Sequence, residues 1–359
     1  MMSSDLFNGF CNSRNIKNST VRSYRSAIRK YESFNGMSFN HLIDEAILEE
    51  ESNIPLKRRK IKKRLLDFRT YLLGSPLAIG TVRTYFSRIR TIYRHFEIEL
   101  PYLPLIRSKE DYISSYDDLP TREDIRKACD ISDIGFKAAV LFISSSGCAK
   151  AETLSLAVND FIKATGDYHG GGSLMEVLEE LSMRDDIVPA FYLKRIKTGK
   201  FYHAFTSPEA THHIVRYLIS RKNLTLDDKL FDFTDSSLMY NFKKVNDKLN
   251  WGFVGHYRFF RSHALRKFHA SNIGLSADIV DELQGRAKTK VHEAYIKTNP
   301  KKLKEIYMGA MHNVMIGDEW IEENRNSDKK EEKHVVIENQ VVNIIINFTL
   351  DGMEYRVEK

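Results

Sequence analysis

The chain has 359 residues, 42% of them hydrophobic and 29% charged, which is enough apolar material for about two cores rather than one. No apolar run approaches the roughly 20 residues that span a bilayer, and the opening MMSSDLFNGF lacks the basic and apolar regions of a secretory signal, so the expectation is a soluble, cytoplasmic protein. Lys and Arg outnumber Asp and Glu by 55 to 48, and residues 1–110 hold 20 basic against 11 acidic side chains; the N-terminal third carries the whole excess and is where a polyanion would first be met.

In 20–33, TVRSYRSAIRKYES, the residues Val21, Tyr24, Ile28 and Tyr31 fall at helical spacing while Arg22, Arg25, Arg29 and Lys30 lie elsewhere on the wheel. The spacing predicts an amphipathic helix with a basic outside. The pattern returns at 81–96, TVRTYFSRIRTIYRHF, with Val82, Tyr85, Phe86, Ile89, Ile92, Tyr93 and Phe96 as the stripe and Arg83, Arg88, Arg90 and Arg94 as the rim. Thr20 and Thr81 are the expected N-caps. Between these helices KRRKIKKR, with Lys57, Arg58, Arg59 and Lys60 at its head, opens or leads into a further helix through LLDFRTYLL. Such a run alone reads equally well as a solvated face or a localisation patch. With basic helices on both sides, contact with a nucleic-acid backbone is the better reading. The candidate DNA contacts are therefore Arg22, Arg25, Arg29, Lys57, Arg58, Arg59, Lys60, Arg83, Arg88 and Arg90, in a helical domain over 1–105.

The segment PYLPLIRSKEDYISSYDDLP has three prolines and no sustained period, which predicts a linker, placed at 106–120. A second domain is expected over 121–318. Thr121 and Asp124 form a capping box at the head of TREDIRKACDIS, a helix follows at about 136–145, and ETLSLAVNDFI is expected to run on as helix beyond the turn at Gly147. Residues 166–174, GDYHGGGSL, read as a flexible break. IVPAFYLKRI and FYHAFTS, rich in β-branched and aromatic residues, flank KTGK and predict a hairpin with Lys197 at its tip. Helices return in PEATHHIVRYLISRK, SLMYNFKKVNDKL and RSHALRKFHAS. A charged linker and strand-rich tail occupy 319–359, with Asp351–Gly352 as a two-residue turn. The three cysteines, Cys11, Cys129 and Cys148, are odd in number and widely spaced, so they predict ordinary buried thiols rather than disulfides or a zinc site.

In RSHALRKFHAS, His263 and Arg266 are three apart on a helix and so can grip one small anion together. Taken alone, a surface histidine beside an ion-paired arginine is the commoner arrangement. Here Arg286 follows in LQGR, Tyr295 in AYIK, and Lys197 precedes both on its hairpin.

In that order these segments resemble the tyrosine recombinase (phage integrase) family: HALR its second box, LQGR its third, AYIK the segment of its nucleophile, and IKTGK its hairpin lysine. KTNPKKLKEIYMGAM is similar to archaeal-type members, in which a proline and a helix bearing another tyrosine follow the nucleophile. The resemblance covers roughly 120–312 by motif. It implies a mainly α fold with a small β-hairpin, an N-terminal helical core-binding (SAM-like) domain joined to a catalytic domain, and a short β-rich tail. It further implies that Tyr295 attacks a DNA phosphodiester while Arg266 and Arg286 neutralise the nonbridging oxygens, that His263 donates to the phosphate or takes the tyrosine proton, and that Lys197 protonates the departing 5′ oxygen. The product is a 3′-phosphotyrosyl intermediate that needs no ATP, metal or other cofactor. The implied partners are double-stranded DNA at a specific site and further copies of the chain, as a tetramer on two sites, nucleoid-associated when bound. The tail from about 333 either docks on a neighbour or folds back on its own chain.

The first box departs from the family. Where an arginine is expected, SSSGCAKAETLSL places Ala149 or, one residue on, Lys150, and Lys150 is taken as the occupant. Lysine supplies charge without the planar two-pronged donor set. Arg286 stands where the family has His or Trp, which retains a phosphate donor. Among the other tyrosines, Tyr307 shares an apolar stripe with Leu303 and Ile306 and reads as packing, and Tyr355 reads as a structural strand residue. Two alternatives stay open: an integrase-derived DNA-binding protein without strand transfer, and a type IB topoisomerase-like relaxing enzyme.

Overall fold

A computed structural model describes residues 4–106, 115–286, 299–318 and 320, together with strand segments 336–337, 340–341, 344–349 and 352–357. The chain divides into two compact units, Met1–Ile113 and Ser114–Lys359, and each buries its own apolar cluster.

The first unit is helical: α1 Ser4–Ser13, α2 Asn18–Asn35, α3 Phe39–Glu51, α4 Lys60–Leu73 and α5 Ile79–His95. The stripes expected of α2 and α5 are the buried ones, with Tyr24, Ile28 and Tyr31 from α2 and Val82, Phe86, Ile89, Ile92 and Tyr93 from α5 in the core. Edge-to-face rings fill its centre, Tyr31 against Phe68 at 4.7 Å and Phe39 against Tyr93 at 5.2 Å between centroids. The two buried tyrosines satisfy each other through hydroxyls 3.2 Å apart. Thr20 and Thr81 are not the N-caps. α2 starts behind Lys17 and α5 behind Ala78, neither with a side-chain cap, because Ile16, Leu77 and Ile79 pack on the core and draw both helix starts upstream. Residues 101–106 are tied to this unit: Leu103 is buried, Arg69 donates to the carbonyls of Pro104 and Leu105 at 3.0 and 3.2 Å, and Arg83 donates to that of Ile106 at 3.2 Å.

In the second unit α6, Arg122–Asp130, begins at the expected Thr121–Asp124 capping box. α7, Ile134–Ser146, is buried nearly all round and packs against α11, Pro208–Ser220, and α13, Ser262–Asn272. Helix does not run unbroken through ETLSLAVNDFI. It stops as α8, Lys150–Ser155, and restarts as α9, Val158–Ala164. A distant segment causes the break: Leu230 N–H donates to Leu156 O at 2.9 Å and Val158 N–H to Asp228 O at 2.8 Å. The glycine-rich stretch after α9 is closed by the short helical turn Gly166–Tyr168 and by Ser173, which caps α10, Leu174–Ser182.

The hairpin pairs β1, Ala190–Lys194, with β2, Phe201–Phe205, from Ala190 opposite Phe205 to Lys194 opposite Phe201. α12, Asp235–Lys248, precedes a short antiparallel pair, β3 Phe253–Val254 with β4 Tyr257–Arg258; α14, Ala277–Leu283, and the helix Pro300–Ala310 follow α13. In the tail β5, Val336–Ile337, pairs with β6, Gln340–Val341, and β7, Ile344–Thr349, with β8, Gly352–Val357. Gly352 sits inside the ladder opposite Thr349 and not in a turn as the sequence suggested; Asp351 lies outside the described residues. Cys11, Cys129 and Cys148 are buried and unbridged. No helix among the described residues is long and apolar enough to cross a membrane.

Candidate active site

Apolar α7 ends at Gly147, whose left-handed backbone (φ +64°) turns the chain. A side chain could not follow: a Cβ at Gly147 would lie 2.6 Å from His269 Nδ1 and 2.7 Å from Gln284 Nε2. The close approach brings the Gly147 carbonyl to α13, where Arg266 Nη1 donates to it at 2.6 Å. Arg266 Nη2 donates to the carbonyl of Gln284, after α14, at 2.9 Å. The Gln284 amide returns the contact, Nε2 donating to Arg266 O at 3.1 Å and lying 3.0 Å from His269 Nδ1, while its Oε1 accepts from Arg286 Nε at 3.1 Å. Gly285 (φ +60°) lies on the Tyr202 ring of β2, with room for no Cβ. Four elements are thereby locked around one guanidinium.

Arg266 is only 6% exposed, and among the described residues its acceptors are carbonyls, not a carboxylate. Burial, then the nearby Arg195 and, more weakly, Arg286, lower its pKa to about 10, so it stays cationic at neutral pH. Arg286 is exposed and pairs with Asp281 at 3.2 Å. His263 stands on the outer side of α13. Partial burial lowers its pKa below the usual imidazole value of 6.5, and Lys267, Arg261, Arg266 and Arg286 lower it further, which favours the neutral ring. His269 beneath is fully buried and held neutral, its pKa lowered to about 3 by burial and the two arginines.

Of the residues expected from sequence, His263, Arg266 and Arg286 come together around α13 and the end of α14. Lys197 is exposed at the hairpin tip, three residues before Lys200, which pairs with Glu282 of α14 at 3.4 Å. Lys150 is taken elsewhere: its ammonium pairs with Asp235 at 2.6 Å. Tyr295 lies outside the described residues. Tyr307 is buried, donating its hydroxyl to Ser145 O at 3.0 Å, a packing residue as its stripe indicated. Tyr355 lies in β8.

The sequence reading missed Arg195. It stands one residue past β1 and donates through Nη1 to Glu152 Oε2 at 2.6 Å, while Ile196 N–H donates to Glu152 Oε1 at 2.9 Å. Glu152 is 2% exposed. The available signal was a first-box acid with no arginine near it in sequence, and an arginine two residues before the hairpin lysine.

In the first unit Arg22, Arg25, Arg29, Lys57, Arg58 and Arg83 are exposed, and exposed Lys60 pairs with Glu45 at 3.0 Å. Arg88 lies over the Tyr24 ring at 4.5 Å and Arg90 over Phe86 at 6.0 Å, both half-buried. Arg59 is drawn inward. It pairs with Glu50, meets Glu99 at 3.4 Å and donates to Ile54 O at 2.7 Å. These contacts hold it in the fold of its own unit.

No family model matches the sequence. No curated protein matches it either. Solved structures do. A lambda integrase tetramer bound to a Holliday junction aligns over 82% of this chain and 76% of its own, with a TM-score of 0.53 at 14% identity. The chain has the integrase fold. XerH site-specific recombinase bound to difH substrate aligns over 85% of this chain and 84% of its own at 14% identity and a TM-score of 0.45, and the Tn1549 transposon integrase, in complex with transposon right end DNA, over 85% and 98% at 12% identity and 0.49.

Proposed function

We propose that the protein is a site-specific tyrosine recombinase of archaeal type that acts in the cytoplasm on double-stranded DNA, as a tetramer spanning two sites. The observation that carries this reading is the buried Arg266 guanidinium, gripped by two backbone carbonyls and, among the described residues, without a carboxylate, with Arg286 tethered beside it through Gln284. Such a group is a preorganised phosphate receptor, because its charge is already desolvated and its fork already oriented. Tyr295 Oη bonds to phosphorus as the bond from phosphorus to the 5′ oxygen breaks. The phenolic proton passes to neutral His263 and the departing 5′ oxygen takes one from Lys197. Bond energy is retained in the 3′-phosphotyrosyl ester, so a 5′ hydroxyl of another strand reverses the step without ATP. The exposed arginines of α2, α5 and the Lys57–Arg58 turn hold the duplex backbone.

The reading is tested by incubating the protein with a pool of nicked duplexes of randomised sequence and recovering denaturation-resistant protein–DNA adducts. Adducts from the unaltered protein, absent in Tyr295→Phe, are expected. Noncovalent binding with no adduct would favour the DNA-binding reading, which the pairing of Lys150 with Asp235 and the absence of an arginine between Gly147 and Glu152 support. Relaxation of supercoiled plasmid without site preference would favour the topoisomerase-like one.

A further inference from the structure

The recombinase chemistry needs positive charge on both nonbridging oxygens of the phosphate, and the segment that would supply the first arginine holds Ala149 and an ion-paired Lys150. The acid of that same segment is nevertheless buried and occupied. Glu152 accepts from the Arg195 side chain and from the next backbone N–H, so the end of the hairpin strand is clamped on α8 at two points, 2.6 and 2.9 Å long. Five residues earlier on this turn, the Gly147 carbonyl holds Arg266. Two guanidinium groups are thus anchored to a single short segment, one from α13 and one from the hairpin.

The anchoring is partial in both. Arg195 spends only Nη1 on Glu152, and among the described residues its Nε–H and Nη2 have neither a protein acceptor nor complete burial. Its charge lowers the Arg266 pKa more than that of Arg286 does. Two like charges held close in a half-desolvated setting, with N–H donors to spare, are an arrangement an anion stabilises.

We infer that Arg195 is the missing phosphate-binding arginine: the hairpin, and not the turn after α7, delivers the second guanidinium to the scissile phosphate, with Glu152 orienting it. The inference rests on the recombinase reading above. Arg195 and Lys197 would then arrive together, so docking of one hairpin would supply both an oxyanion donor and the general acid.

The test uses the duplex recovered by covalent capture, made either with its natural scissile diester or with a methylphosphonate that replaces one nonbridging oxygen by an uncharged methyl. Arg195→Ala should cleave the diester on the order of 10²–10³-fold more slowly than the unaltered protein, as for loss of one oxyanion donor. It should regain most of that rate on a methylphosphonate diastereomer, where the charge it neutralises is gone. Arg195→Lys should fall between, and circular dichroism should match the unaltered protein, with gel-shift binding weakened by no more than the loss of one phosphate contact. Equal losses on both substrates would mean a purely structural arginine and overturn the assignment. So would undiminished diester cleavage by Arg195→Ala, or a methylphosphonate-rescued defect in Lys150→Ala in its place. Failure of the unaltered protein to form any adduct would instead remove the recombinase reading, and this inference with it.

Discussion

Gly147 is the residue on which the cationic site turns. Its φ of +64° disfavours any side chain, and the facing nitrogens of His269 and Gln284 leave no space for one. Gly147→Ala should therefore cost about 2–4 kcal/mol in denaturant unfolding, combining the left-handed backbone penalty with a displaced polar pair. His269 makes a second claim at this scale. Buried and neutral with a pKa lowered to about 3, it binds fewer protons folded than unfolded, so its contribution to stability is intact above pH 6.5 and is lost as pH falls below that value. Each further pH unit should remove about 1.4 kcal/mol through this group, read as a fall in denaturation midpoint. His263, depressed by burial and four neighbouring cations, should shift the acid limb of the cleavage pH profile to more acid solution than an ordinary imidazole would give. Its pairing with Arg266 was legible from the three-residue interval. Arg195 was not, because its partner Glu152 is forty-three residues away and only the folded hairpin joins them.

Elements were legible where periodicity is strong and local. The α2 and α5 stripes, the Thr121–Asp124 box and the β1–β2 hairpin all follow from spacing and turn chemistry that neighbours in sequence decide. The break between α8 and α9 comes instead from backbone bonds to residues 228–230, which no window around Leu156 contains. Composition likewise could not separate the members of KRRKIKKR, where Arg59 turns in to Glu50, Glu99 and Ile54 O while Lys57 and Arg58 stay exposed. The distinction predicts opposite effects. Arg59→Ala should lower the stability of the protein by about 1–3 kcal/mol, since it strands the partly buried Glu50 carboxylate and the Ile54 carbonyl. The combined variant R22A/R29A/R58A should unfold normally but weaken DNA binding. Its plot of log affinity against log salt should be shallower by about 0.9 for each phosphate contact removed, or roughly 2.7 if all three contact the backbone.

At the scale of the molecule, charge and fold divide the work. The N-terminal third carries the basic excess, and the near-neutral remainder buries the Arg266 guanidinium against two carbonyls. The likeness to a solved lambda integrase covers most of the chain and establishes the fold. The chemistry rests on whether a phenol reaches the cationic site. The direct measurement is mass spectrometry of the DNA-linked peptide from the captured adduct. The account predicts a nucleotide 3′ phosphate on Tyr295, in the tryptic peptide 291–297, with a free 5′ hydroxyl on the released strand. Linkage through another residue, retained in Tyr295→Phe, or a released strand ending in 5′ phosphate would contradict it.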